Sequence, residues 1–132
     1  MQKQGTRITD AGRLDGSVGR AVTAANFALG VGWGDGANVI TVTAGSTDQR
    51  GTVTIQSIGA NQAQATATVA LTFIDGAYAS APFALVNLSN NDNAVTTAQP
   101  QSVACSTTVL SWTQSVLPVA TKVYKFSWAV IA

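Results

Sequence analysis

Lys122-Val123-Tyr124-Lys125-Phe126-Ser127-Trp128-Ala129-Val130-Ile131 decides the fold class. Side chains of an extended strand alternate between two faces. That period places Lys122, Tyr124, Phe126, Trp128 and Val130 on one side and Val123, Lys125, Ser127, Ala129 and Ile131 on the other. Each large aromatic buries on the order of 150–250 Å², so Tyr124, Phe126 and Trp128 are expected to anchor a core. A strand this apolar is expected to lie at a sheet centre or to be well paired.

Working back from it, the same signal recurs. Val39–Thr43 is β-branched throughout and is followed by the turn residues Ala44–Asp48. Gly51–Ile58 alternates, with Val53 and Ile55 on one face, and Ile58–Gln62 reads as a loop. Ala65–Ile74 alternates again, with Val69, Leu71 and Phe73 together, and ends in an Asp75-Gly76 turn. Pro82 suits a strand entrance or edge because it has no N–H for a ladder. Phe83–Leu88 reads as a continuous apolar strand stopped by Ser89–Asn93. Gln101–Cys105 and Thr107–Thr113 pair around Ser106, and Leu110 and Trp112 share a face that reads as core. Seven or eight short strands and no long helix predict an all-β, antiparallel β-sandwich, jelly-roll or Greek-key like, over residues 37–132.

Residues 1–36 differ in character. Eight glycines interrupt any period, and Lys3, Arg7, Arg13 and Arg20 stand against Asp10, Asp15 and Asp35. A short helix over Ala21–Leu29 would be stopped by Gly30 and Gly32. This stretch reads as an extended N-terminal arm that folds against something else, and its leucines, valines, Phe27 and Trp33 are unusual for a disordered tail. Gly30–Gly36 reads as a flexible joint between arm and domain, with Trp33 seated in a neighbouring subunit. It has the glycine content of a phosphate cradle but no following GKS or GKT.

Composition narrows the function. Charged residues make up 10% of the 132 residues, against roughly 25% in an ordinary soluble domain. Between Arg50 and Lys122 stand no basic residue and only the acids Asp75 and Asp92. A free domain keeps a mixed, charged surface for solubility, so this chain is expected either to be covered by copies of itself or a larger lattice or to work outside the cell, and the balance points to an assembly component. It has no His, no Glu and one Cys, a poor kit for acid–base chemistry or a zinc site; no enzyme activity, cofactor or metal is expected. Ser89–Asn93 offers oxygen ligands but lacks the second carboxylate of a calcium loop and reads as a polar turn. Cys105 reads as a small buried hydrophobe. A net charge of +1 gives no case for nucleic acid, and no apolar run reaches the ~18–20 residues of a membrane span. The first seven residues carry no apolar signal region, so synthesis and assembly in a cytoplasm are expected.

Four motifs in order carry a resemblance: Thr47-Asp48-Gln49-Arg50-Gly51-Thr52-Val53-Thr54, Ala67–Phe73, Ala77-Tyr78-Ala79-Ser80-Ala81-Pro82, and Tyr124–Ile131. Over about residues 45–131 the chain resembles the small β-sandwich domains of bacteriophage virions, found at tail-fibre ends and in capsid-decorating or head-fibre proteins. It departs from them after Leu88, where Ser89-Asn90-Asn91-Asp92 replaces a frequent proline. The resemblance implies a structural, usually trimeric role. The expected function is a capsid decoration (cement) protein, a homotrimer on the outer shell of the virion that clamps the major capsid protein through its arm. The alternative is a tail-fibre tip or head fibre that binds host surface glycans. Interface residues expected on this reading are Arg7, Arg13, Arg20, Phe27, Trp33, Asp48 and Arg50, the last two as a local ion pair at a turn.

Overall fold

The computed structural model describes residues 19–91 and 99–132. Two four-stranded antiparallel sheets pack face to face. In chain order the strands are β1 (Phe27–Leu29), β2 (Val39–Val42), β3 (Arg50–Gln56), β4 (Thr68–Thr72), β5 (Phe83–Asn91), β6 (Pro100–Cys105), β7 (Val109–Gln114) and β8 (Val123–Ile131). One sheet runs β1-β4-β7-β6 and the other β2-β3-β8-β5. Only β2–β3 and β6–β7 are neighbours both in sequence and in space; the remaining connections pass from one sheet to the other. The sandwich expected from the alternation is the fold observed, and the interleaved strand order is what sequence had left open.

The core lies where the alternation puts it. Val53 and Ile55 of β3, Val69 and Leu71 of β4, Leu110 and Trp112 of β7, and Tyr124, Phe126 and Trp128 of β8 all face inward and are buried. β8 sits between β3 and β5, paired to β3 through Gln56↔Val123 to Arg50↔Ala129 and to β5 through Phe83↔Ile131. Its aromatics meet those of the opposite sheet edge to face: Trp112 lies 5.5 Å from Phe126 and Phe27 5.6 Å from Trp128. Such ring pairs add about 0.5–1.5 kcal/mol beyond the area they bury.

The expected boundary between arm and domain falls inside the fold. Phe27–Leu29 is a strand, not part of a helix, and pairs with Val69–Leu71 of β4. A 3-10 turn at Ala24–Asn26 precedes it, fastened by the Thr23 amide donating to Asn26 Oδ1 at 2.8 Å. Trp33, on a second 3-10 turn at Val31–Trp33, is fully buried and donates its Nε1–H to the Thr68 carbonyl at 3.0 Å. Gly30–Gly36 is a close-packed seam instead of a flexible joint. A Cβ on Gly32 would stand 2.0 Å from the Ala63 carbonyl oxygen. Gly34 has φ +113°, the region that favours glycine. Glycine is abundant here because backbone runs against backbone, and only the missing side chain lets Trp33 drop between the sheets. Residues 1–18, with Arg7 and Arg13, lie outside the described residues.

Candidate assembly surface

Two features of the fold bear on function: the outer face of the β2-β3-β8-β5 sheet, and the end at which the N-terminal segment joins the sandwich. Both follow from the register.

On the outer face, the positions of β8 opposite to its aromatics are Val123, Lys125, Ser127, Ala129 and Ile131, as the alternation predicts. Neighbouring strands add Thr52 and Thr54 from β3 and Phe83, Leu85 and Asn87 from β5. Thr52 Oγ1 and Ser127 Oγ lie 3.3 Å apart, and the Ser89 hydroxyl also meets Ser127. This hydroxyl row carries no acid among its outward-facing residues, and its cations are Arg50 and Lys125. At one corner the row gives way to apolar side chains: Phe83 is 83% exposed, Leu85 66% and Ile131 53%. Phe83 stands directly opposite Ile131 in the ladder, so these side chains form one patch.

An apolar sheet corner left in water is costly, since burial of such area contributes about 25 cal/mol per Å². The sequence reads Phe83–Leu88 as a continuous apolar strand and assigns it no face. In the structure β5 is an edge strand, so only Ala84, Val86 and Leu88 pack against the core. The missed signal was available in β8, where Ile131 falls on the face opposite Trp128.

The second feature is a clasp. Asp48, in the turn before β3, is fully buried; its carboxylate accepts from the Ile74 amide at 2.9 Å and from the Asp75 amide at 2.8 Å. It is a connector between two turns, not the exposed turn residue the sequence suggested. Asp75 in turn takes the Arg20 amide on Oδ2 and the Arg20 Nε–H on Oδ1, each at 3.0 Å. The Arg20 guanidinium also donates to the Ile74 carbonyl. A bridge from Ala21 to Thr47 and the Val22 amide donating to Ser46 complete the attachment. Trp128 closes it from the core side, its Nε1–H reaching the Thr47 and Asp48 carbonyls at 3.2 and 3.3 Å.

Of the residues expected at an interface, the structure therefore brings Arg20 and Asp48 to this clasp and places Phe27 and Trp33 in the chain's own core. The large side chains that looked fit for a neighbouring subunit had a partner nearer at hand. Arg50 is exposed at the start of β3, where it lines an open groove of about 370 Å³ with Thr43, Ser46, Thr52 and Ser127. Cys105 is half-buried, and burial pushes its thiol pKa up. Among the described residues no three His, Cys, Asp or Glu gather, and no helix is long and apolar enough to cross a membrane.

Comparison with protein-family models, with curated proteins and with solved structures finds no match for this chain.

Proposed function

We propose that the chain is a structural component of a bacteriophage virion, a decoration protein that assembles as a homotrimer on the outer shell. The observation that carries this reading is the Phe83–Leu85–Ile131 corner on a sheet face with no acid among its outward-facing residues. Large exposed apolar patches mark interaction sites, and a face of hydroxyls with two cations suits broad contact with a protein lattice better than chemistry on a small substrate. The resemblance of residues 45–131 to virion sandwich domains supplies the kind of lattice and the expected three copies. Mechanism here is clamping. Each sandwich adds contact area across major capsid protein subunits, and linked copies benefit from a high effective concentration after the first has bound. Residues 1–18, with Arg7 and Arg13, contribute the basic contact, and the Arg20–Asp75 clasp transmits its pull to the domain.

Co-sedimentation with expanded phage shells tests this. The full chain is expected to pellet with shells and to raise the temperature at which they rupture. A chain that stays in the supernatant and leaves rupture unchanged overturns the decoration reading. The groove at Arg50 favours a second reading, adhesion to host surface glycans through its hydroxyls and guanidinium. Retention on a glycan array, lost in Arg50→Ala, would select it.

A further inference from the structure

We infer that the free edge of β5 is a self-complementary strand-pairing site, and that its occupant is β5 of a second copy of this chain. The inference rests on the reading of the chain as an assembling structural module, and it specifies the geometry of one contact.

The backbone direction along β5 comes from two independent bonds. Ser57 donates to the Lys122 carbonyl, so the peptide groups of Tyr124, Phe126 and Trp128 point to β3 and those of Ser127, Ala129 and Ile131 point to β5. Phe83, Leu85 and Asn87 then bond to β8, and Ala84, Val86 and Leu88 present their N–H and C=O outward at the sheet edge. Leu88 confirms this direction: its amide donates away from β8, to Gln99 Oε1 at 3.3 Å. That bond caps the edge at one end, and Pro82, with no N–H, closes it at the other. Among the described residues nothing bonds to Ala84–Val86 on this side, and that window is symmetric about Leu85.

Edges of this kind template pairing with another chain, and free-standing proteins blunt them with charge, proline, bulges or short length. The other edges here are blunted. β1 and β2 are three and four residues long, and β6 carries a register shift with Ser102 at φ 50°. β5 has nine residues and no charge, and its ladder is regular from Phe83 to Leu88. A two-fold contact sets the same surface against itself, which a charged edge would resist and this one permits. Antiparallel pairing centred on Leu85 lets Ala84 of each copy exchange both backbone bonds with Val86 of the other. Leu85 then faces Leu85 of the second copy at a non-hydrogen-bonded position, where side chains lie closest. The product is one continuous sheet across two sandwiches. Such a contact is two-fold and leaves the heterologous contacts of a three-membered ring intact; in a trimer it joins one ring to the next.

The test combines light scattering with cross-linking. Leu85→Lys sets two ammonium groups against each other at an outward position that the core does not use. It is expected to halve the wild-type mass while keeping the unfolding midpoint, whereas Val39→Lys on the far edge of the same face leaves the mass unchanged. Leu85→Cys in a Cys105→Ser background is expected to give a reducible two-chain species on mild oxidation, because non-hydrogen-bonded cross-strand pairs meet disulfide geometry. A wild-type mass that Leu85→Lys does not lower, or a Leu85→Cys chain that oxidises without joining two chains, overturns the inference. Shell co-sedimentation of Leu85→Lys reports on decoration separately, since a chain unable to pair at this edge can still bind shells.

Discussion

Trp33 stands edge-on to Tyr124, their ring centroids 5.5 Å apart and their planes 69° from parallel. One ring comes from the glycine-rich N-terminal stretch and the other from the last strand, so the contact joins sequence positions 33 and 124 at the centre of the core. Trp33 also lies 6.2 Å from Phe126. The first segment after residue 18 is therefore part of what holds the two sheets together.

Removing either member of this cluster is expected to be costly. Phe126→Ala and Trp33→Ala should each destabilise the domain by about 3–5 kcal/mol, the range for large aromatics deleted from a packed core. Urea unfolding followed by tryptophan fluorescence measures it for Phe126→Ala, and far-ultraviolet circular dichroism for Trp33→Ala. A loss below about 1 kcal/mol would mean that the ring is not in the core.

Truncation has a sharp boundary. A chain starting at Gly19 keeps the Arg20–Asp75 pair, the Ala21–Thr47 bridge and β1, and is expected to unfold cooperatively near the full-length midpoint. A chain starting at Val31 loses all of these together with Phe27, and is expected to populate a loosened or unfolded state. Equal midpoints for the two truncations would contradict the placement of β1 in the sheet.

Asp48→Ala removes the buried acceptor of the Ile74 and Asp75 amides. Orphaned buried donors cost on the order of 1–3 kcal/mol, so the variant should unfold at lower urea. Hydrogen exchange locates the effect: the Ile74 and Asp75 amides should lose protection before those of β8. Unchanged protection at both would show that the carboxylate is dispensable to the clasp.

Asp35 gives the fold a pH dependence of known sign. The Ala60 amide donates to its Oδ1 at 2.8 Å and the Asn61 side chain to its Oδ2 at 2.7 Å, and these bonds hold its carboxyl below the usual range. With the folded pKa depressed, the unfolded chain takes up the proton first. The contribution is present above the ordinary carboxylate value of about 4 and is lost as pH falls through the folded-state value. Wild type should therefore lose its advantage over Asp35→Asn as pH falls below the ordinary carboxylate value of about 4. Parallel stability curves for the two proteins would sink this assignment.

What was legible in the sequence follows from periodicity. Where a strand has one wet and one dry face, as in β3, β4, β7 and β8, alternation names the core residues directly, because a one-residue error would turn every side chain to the wrong side. β5 defeated that reading, since Phe83–Val86 is an unbroken apolar run and only its place at a sheet edge distinguishes Val86 from Leu85. Residues 19–36 defeated it for another reason. The glycines at 30, 32, 34 and 36 encode close approach to the chain between Ile58 and Thr68, a tertiary fact, and look locally like flexibility. Asp48 was misplaced because its partners, the backbone amides of Ile74 and Asp75, leave no mark in side-chain composition.

The register also gives the sandwich two unlike poles. Ala21 bridges Thr47, and Val130 donates to the Gln49 carbonyl two residues further on. The N-terminal entry and the end of β8 therefore share a pole. The turns around Gly59–Asn61 and Leu117–Thr121 lie at the opposite one, where Thr121 donates to the Ser57 carbonyl. A peptide grafted into the Gly59–Asn61 turn would be held a full strand length from the Ala21 entry, facing the opposite way. For a displayed antigen or a fluorescent reporter, that turn is the socket remote from the N-terminal entry, and a fusion after Ala132 would crowd that entry.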